Sequence, residues 1–216
     1  MTMEQLYPDI PSQLTELQDI TSLLQGDDKL RGLHVKQANL ARQRLKGVAI
    51  EESLVSKSDF SQSQFEKFAT KDCKFIDCDL TATSFADSSW HVVDVVGSRC
   101  SGLQLQASQL KNVRFQGCKL DLSNFRFSKL ENVMFEDCLI NDIDFYNATL
   151  KNVDFGGSSL EDVSFLGARL TDVDLSGAQI IGVKQVAGLA GALISYEQLI
   201  LLAPYLAQAL KVKVKI

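Results

Sequence analysis

Between residues 110 and 180 a large apolar side chain returns at every fifth position. The series runs Leu110, Phe115, Leu120, Phe125, Leu130, Phe135, and continues through Phe145, Phe155 and Phe165 to Leu175 and Ile180. Two places before each stands a small or β-branched residue, among them Ser108, Val113, Cys118, Val133, Cys138, Ala148 and Ser158. An α-helix repeats every 3.6 residues and a strand every two, so neither keeps a five-residue stripe on one face over such a length. A chain that turns a corner every five residues does. Each five then gives one short edge with two inward side chains, followed by a turn. Four edges close a square coil of about twenty residues, and such coils stack as parallel strands roughly 4.8 Å apart.

The corners agree with this geometry. The second residue after each large one needs φ > 0, which Gly adopts freely and Asn or Asp tolerates. At that place stand Asn112, Gly117, Asn132, Asp137, Asp142, Asn152, Gly157, Asp162, Gly167, Asp172 and Gly177. The pattern resembles the pentapeptide-repeat proteins, with consensus A(D/N)Lxx, most plainly in NATLKNVDFGGSSLEDVSFLGARLTDVDLSGAQI. The resemblance covers about residues 30–183. It implies an all-β solenoid, a right-handed quadrilateral parallel β-helix, in which the repeat is structural rather than catalytic.

The register begins near Leu30 and runs through Val35, Leu40, Leu45, Ile50, Val55, Phe60 and Phe65. Thr70 interrupts it, and Phe68 is placed to supply the missing bulk. Phe75, Leu80, Phe85, Trp90, Val95, Cys100 and Leu105 follow, with residues 86–109 the loosest part. The phase is kept to Ile180, so any protruding loop would have to be a multiple of five residues long, and none is expected. Residues 30–183 then make about 7.5 coils, a rod roughly 36 Å long.

Three segments are expected: 1–29, 30–183 and 184–216. Open coil ends expose backbone and apolar filling, so solenoids need caps. Residues 12–25 read as an N-terminal capping helix. Leu14, Leu17, Ile20, Leu23 and Leu24 follow helical spacing, Ser12 serves as N-cap after Pro11, and Gly26 is the stop. A free partner-binding helix is the alternative. At the other end Ser195 with Gln198 resembles a capping box opening SYEQLILLA. Pro204 kinks or restarts that helix, and KVKVKI alternates like a strand. The apolar set Leu199, Ile200, Leu202, Tyr205, Leu206 and Leu210 suits both a cap and a homodimer contact through the C-terminal segment.

No candidate chemistry stands out. His34 and His91 flank inward residues, point outward and lie about three coils apart, too far for a shared metal. Cys73, Cys78, Cys118 and Cys138 occupy the small inward position and Cys100 the large one, which marks them as core filling. An odd count without CxxC spacing argues against disulfides and zinc. Phosphate-loop, dinucleotide and nucleophile-elbow motifs are absent, and a filled coil has no cleft to bury a carboxylate pair. The expectation is a protein that is not an enzyme and carries no cofactor. No stretch has the 18 apolar residues of a membrane span and no leader pattern opens the chain, so no membrane partner and a cytoplasmic location are expected.

The net charge is −5 over 216 residues. Residues 121–180 hold four Lys/Arg against eleven Asp/Glu. Direct nucleic-acid binding needs a basic patch, so the expected partner is a protein. Asp121 and Glu161 fall in one column, Asp142 and Asp162 in the next, and Asp144 just beyond, with no Lys or Arg on that corner. This acidic edge serves either a basic partner or solubility. Phe127, Tyr146 and Leu166 follow large inward residues by one or two places, which makes them an outward apolar ridge. It is either an interface or the seat of a folded-back terminal segment. Two functions are carried forward: a general interaction scaffold, and, by the resemblance, a DNA-mimicking binder of type II topoisomerase (DNA gyrase) of the quinolone-resistance type.

Overall fold

The structure, a computed structural model, describes residues 7–18 and 29–213. Parallel pairing joins residues twenty apart along the rod: Leu110 faces Leu130, and Leu130 faces Leu150. The same offset recurs in single bridges from Asn39–Asp59 to Val163–Val183. Each coil has four edges. Ser89–His91, Val93–Val96, the stretch around Arg99 and the stretch around Gln104 make up one of them. No insertion interrupts the register among the described residues, because an insertion out of phase would move every inward side chain to the surface.

The corners take the left-handed backbone. All the residues expected there have φ between 51° and 71°, Gly177 excepted. Asp and Asn corners lean onto the next coil, so the carboxylate of Asp137 fills the space over Gly157, and the amide of Asn147 that over Gly167. Only glycine combines that conformation with that close approach. Elsewhere the amides ladder: Asn132 donates to Asn112 at 2.9 Å and Asn152 to Asn132 at 2.8 Å.

The core is one column of buried side chains from Leu30 to Ala178. Phe115, Phe135 and Phe155 stack face to face at 5.3 and 4.8 Å, and Phe145 stacks on Phe165 at 5.2 Å. Their neighbours in the same coil meet edge-on, as Phe145 and Phe155 do at 6.1 Å. Both arrangements suit the ring quadrupole. At the irregular coil Phe68 is buried against Phe65 and Phe85 while Thr70 is also buried, and Trp90, Val95, Cys100 and Leu105 are all inside.

The small inward residues do more than make room. Thr83, Ser123 and Ser158 donate to the carbonyls of Phe60, Cys100 and Phe135, each 23 residues back, at 2.7 to 2.8 Å. Cys73, Cys118 and Cys138 do so through sulfur at 3.3 to 3.4 Å. A buried carbonyl left without a donor is costly, which favours Ser, Thr and Cys at this place.

The ends differ from expectation at the N-terminus. Residues 12–18 form no helix; Thr15–Leu17 is a strand that pairs parallel with Leu33–Val35, and residues 19–25 lie outside the described residues. The physical reason is the open edge of the first coil, whose backbone groups a strand satisfies and a helix does not. Residues 7–11 form an irregular arm across the coils, followed by a bend at Ser12 and Gln13. Tyr7 lies on Arg114 at 5.2 Å and Asp9 N donates to Asp72 Oδ1 at 3.5 Å. Pro8 and Pro11 favour this irregular form.

At the other end the expected capping box is present, with Ser195 N donating to Gln198 Oε1 at 2.7 Å and Gln198 N to Ser195 Oγ at 3.2 Å. It opens a single helix, Tyr196–Ala209, which passes through Pro204 unbroken as a helical element. Residues 211–213 are not strand, and 214–216 lie outside the described residues. The amide of Gln198 also donates to Leu175 O and Ala178 O, both at 2.7 Å. Gln198 is 23 residues after Leu175, so it performs for the last coil what Ser158 performs for Phe135. Among the described residues no helix is long and apolar enough to cross a membrane.

Candidate interaction surface

The ridge residues follow the buried Phe125, Phe145 and Phe165 and face outward. Phe127 is 55% exposed and Leu166 43%, while Tyr146 is half-buried. Phe127 and Tyr146 meet edge-on at 5.6 Å. Arg126 joins them: its guanidinium lies 4.7 Å from the Tyr146 ring and 5.8 Å from Phe127, with Nε 3.8 Å from Asp144. The described terminal residues lie elsewhere, the arm on Asp72 and Arg114. Sequence reasoning missed Arg126 and also Leu122, which is 63% exposed at the preceding corner of the same coil. Leu122 was findable, since it stands two places after Leu120, as Phe127 does after Phe125.

The acidic residues are closer to cations than the columns suggested. Asp142 pairs with Lys184, 42 residues on. Asp144 pairs with Arg126 at 3.8 Å and Asp121 with Lys119 at 3.0 Å. Neither Glu161 nor Asp162 forms an ion pair among the described residues. The expectation that no cation shares this corner is therefore corrected. Lysine and arginine side chains are long enough to cross an edge or a coil, which a column count ignores.

Other titratable groups serve structure. His34 contacts Ser56 at 2.9 Å and Glu16 at 3.5 Å. Asp79 is held below the usual carboxylate range: burial works against it, but bonds from Thr81 and Arg99 outweigh that. All five cysteines are free and buried. Burial pushes the Cys73 and Cys78 thiols up to about 11. The Cys118 sulfur and burial together raise Cys100 and Cys138. Among the described residues no His, Cys, Asp and Glu group is arranged to hold a metal ion. The C-terminal helix buries Gln198 and Leu202 and leaves Tyr196, Ile200, Leu201 and Tyr205 exposed.

A coil filled by its own side chains, with features confined to corners and ends, defines a β-solenoid whose distinctive chemistry lies on its outer surface. Residues 68–145 and 98–165 match the family model described as pentapeptide repeat region. The register runs beyond the matched stretch, from Leu30 to Ile180, and the fold is the right-handed quadrilateral parallel β-helix of pentapeptide-repeat proteins. No curated protein matches the chain. Among solved structures it is similar to a trypsin-treated form of QnrB1, a plasmid-mediated fluoroquinolone resistance protein. The identity is 19%, the match covers 90% of this chain and 98% of that one, and the TM-score is 0.58. It is also similar to HetL, a pentapeptide-repeat protein involved in heterocyst differentiation regulation in the cyanobacterium Nostoc, at 18% identity over 69% of this chain and 73% of that one, with a TM-score of 0.43.

Proposed function

We propose that the chain is a non-enzymatic protein-interaction scaffold that binds a protein partner through the corner formed by Phe127, Tyr146 and Leu166, with Arg126 at its centre. One observation carries this. Leu122 and Phe127 hold φ of 57° and 59° on the same coil, both exposed. The left-handed region costs an ordinary residue about 1–2 kcal/mol, and in the following coils Asp142 and Asp162 stand at the Leu122 corner and Asn147 and Gly167 at the Phe127 corner. A bulky apolar side chain there adds nothing to the core, so its use is on the surface. Aromatics and arginine are enriched at interface cores. Of the acidic residues on the adjoining edge and corner, Asp121, Asp142 and Asp144 are ion-paired, which leaves Glu161 and Asp162 to orient a basic partner by charge. The exposed face of the C-terminal helix suits a homodimer contact. Direct binding to nucleic acid and to membranes forms no part of this reading.

The test is affinity capture with wild-type protein and with Phe127→Ser, Tyr146→Asn, Leu166→Ser combined. A partner held by the wild type and lost by the variant, at unchanged melting temperature, is the expected result. Equal capture by both sinks the reading. The second reading is a DNA-mimicking binder of DNA gyrase. The shared fold with QnrB1 and the acidic run favour it; the ion pairs to Asp121, Asp142 and Asp144 weaken it. A supercoiling assay decides, since absence of any effect at micromolar protein removes it.

A further inference from the structure

The face under the N-terminal arm has two features that coil formation does not require. The first is Val92. It holds φ of 53° and is the one β-branched residue at a left-handed corner among the described residues, where such residues are most strained. The same corner carries Asp72 one coil earlier and Asn112 one coil later. The second is Asp94, 1% exposed. Its carboxylate accepts from Arg114 Nε at 3.2 Å and Nη2 at 2.9 Å, with Lys74 Nζ at 4.0 Å. Glu136 lies 3.6 Å from Nη1 of the same guanidinium. Arg114 is thus fixed in plane, and its open side carries the Tyr7 ring at 5.2 Å.

The arm fits these features in order. Tyr7 stacks on Arg114 and Asp9 reaches Asp72, and the Val92 corner stands in the coil between those two contacts. Pro8 and Val92 are both buried, although both lie outside the coil wall, and Ile10 is half-buried. The recognition groups are rigid parts of the coils. The arm itself is lightly held: among the described residues its backbone meets the coils only through the long Asp9 bond before Thr15 pairs with Gly32.

We infer that this face is a binding surface for an aromatic–proline–acid–aliphatic segment of a partner protein, and that Tyr7–Ile10 occupies it in cis. It lies on a different edge from the Phe127 corner, and the two surfaces are independent. A tethered arm competes at an effective concentration of about 1 mM, so the partner segment binds when it outcompetes that arm.

The test uses the full chain with Pro8→Ser and Ile10→Ser, both outside the coils, and a fluorescein-labelled peptide, YPDIPSQLTEL. Anisotropy should show saturable binding at least about tenfold tighter than to the wild-type chain, whose own arm competes. A peptide with Ser in place of its tyrosine should bind weakly. No binding to the variant, or equal binding of a scrambled peptide, overturns the inference. Should the variant fail to fold, the wild type is titrated with peptide to about 1 mM, and the Arg114 side-chain resonances are followed by NMR. Saturable shifts support the surface, and unmoved resonances overturn it.

Discussion

A fully buried phenylalanine such as Phe145 touches Phe155 at 6.1 Å edge-on and Phe165 at 5.2 Å face-on, and the coil around it cannot collapse without breaking parallel pairing. Phe145→Ala should therefore cost about 3–5 kcal/mol, read as a lowered denaturant midpoint; an unmoved midpoint would contradict the packing. The thiols give a pH signature. An unfolded thiol ionises near 9.0, whereas Cys73 and Cys78 are held up at about 11 when folded. Folded pKa values above unfolded ones mean that the stability is full below pH 9 and is lost as pH rises towards 11, by roughly 2–3 kcal/mol for each thiol. Cys73→Ser with Cys78→Ser should flatten that loss, since serine keeps the donor to the carbonyls 23 residues back and does not ionise. At this scale the sequence was highly legible. The fifth-place stripe and the Asn, Asp and Gly corners follow from sterics that act within one coil. The hydroxyl and thiol bonds were not legible, because size alone already explained a small residue there.

Among the elements, the C-terminal cap was readable and the N-terminal one was not. Ser195 and Gln198 form a local motif whose partners lie three residues apart. What the motif could not reveal is that the Gln198 amide also takes the place of the next coil's donor to Leu175 and Ala178. Gln198→Ala should leave the helix with a weaker start and two buried carbonyls without this donor, a loss of about 1–3 kcal/mol. Gln198→Glu should be worse, because a carboxylate cannot donate to a carbonyl. Urea titration of both variants checks the order. At the N-terminus Leu14 and Leu17 fit helical spacing, yet a three-residue strand is too short to show alternation. The pairing of Thr15–Leu17 with Leu33–Val35 is decided by an open edge that no local pattern announces. The two prolines, Pro8 and Pro11, were the signal for an irregular arm.

At the scale of the molecule the rod has chemically distinct surfaces. The arm-covered face lies away from the C-terminal helix, whereas the acids beside the Phe127 corner run up to it, Asp162 lining one pocket with Leu201 and Tyr205. The exposure of Phe127 and Leu166 was legible because bulky residues stood where turns want Gly, Asn or Asp, whereas the half-burial of Tyr146 was not. The ion pairs were not, since Lys184 reaches Asp142 from 42 residues on. If the exposed helix face makes the homodimer contact, Ile200→Glu with Leu201→Glu should convert a dimer to a monomer in sedimentation velocity without shifting the melting temperature. A wild-type protein that sediments as a monomer at every concentration would remove that assignment.

The arm also acts as a length gauge. Solenoids grow by duplicating whole units, and most of this rod would accept another. From Arg114 back to the strand beneath Leu33–Val35 the arm passes five coil steps, about 24 Å at the usual spacing. The two residues from Tyr7 to Asp9 reach only about 7 Å yet link Arg114 to Asp72, two coils apart, so this part of the strap has no slack, whereas the chain bends at Ser12 and Gln13. One extra coil spliced between Lys74 and Arg114 would pull Tyr7 off its guanidinium, whereas one spliced after Arg114 would go unnoticed. The stretch of rod between Asp72 and Arg114 is thereby indexed to a fixed number of turns, and the far half is free to vary.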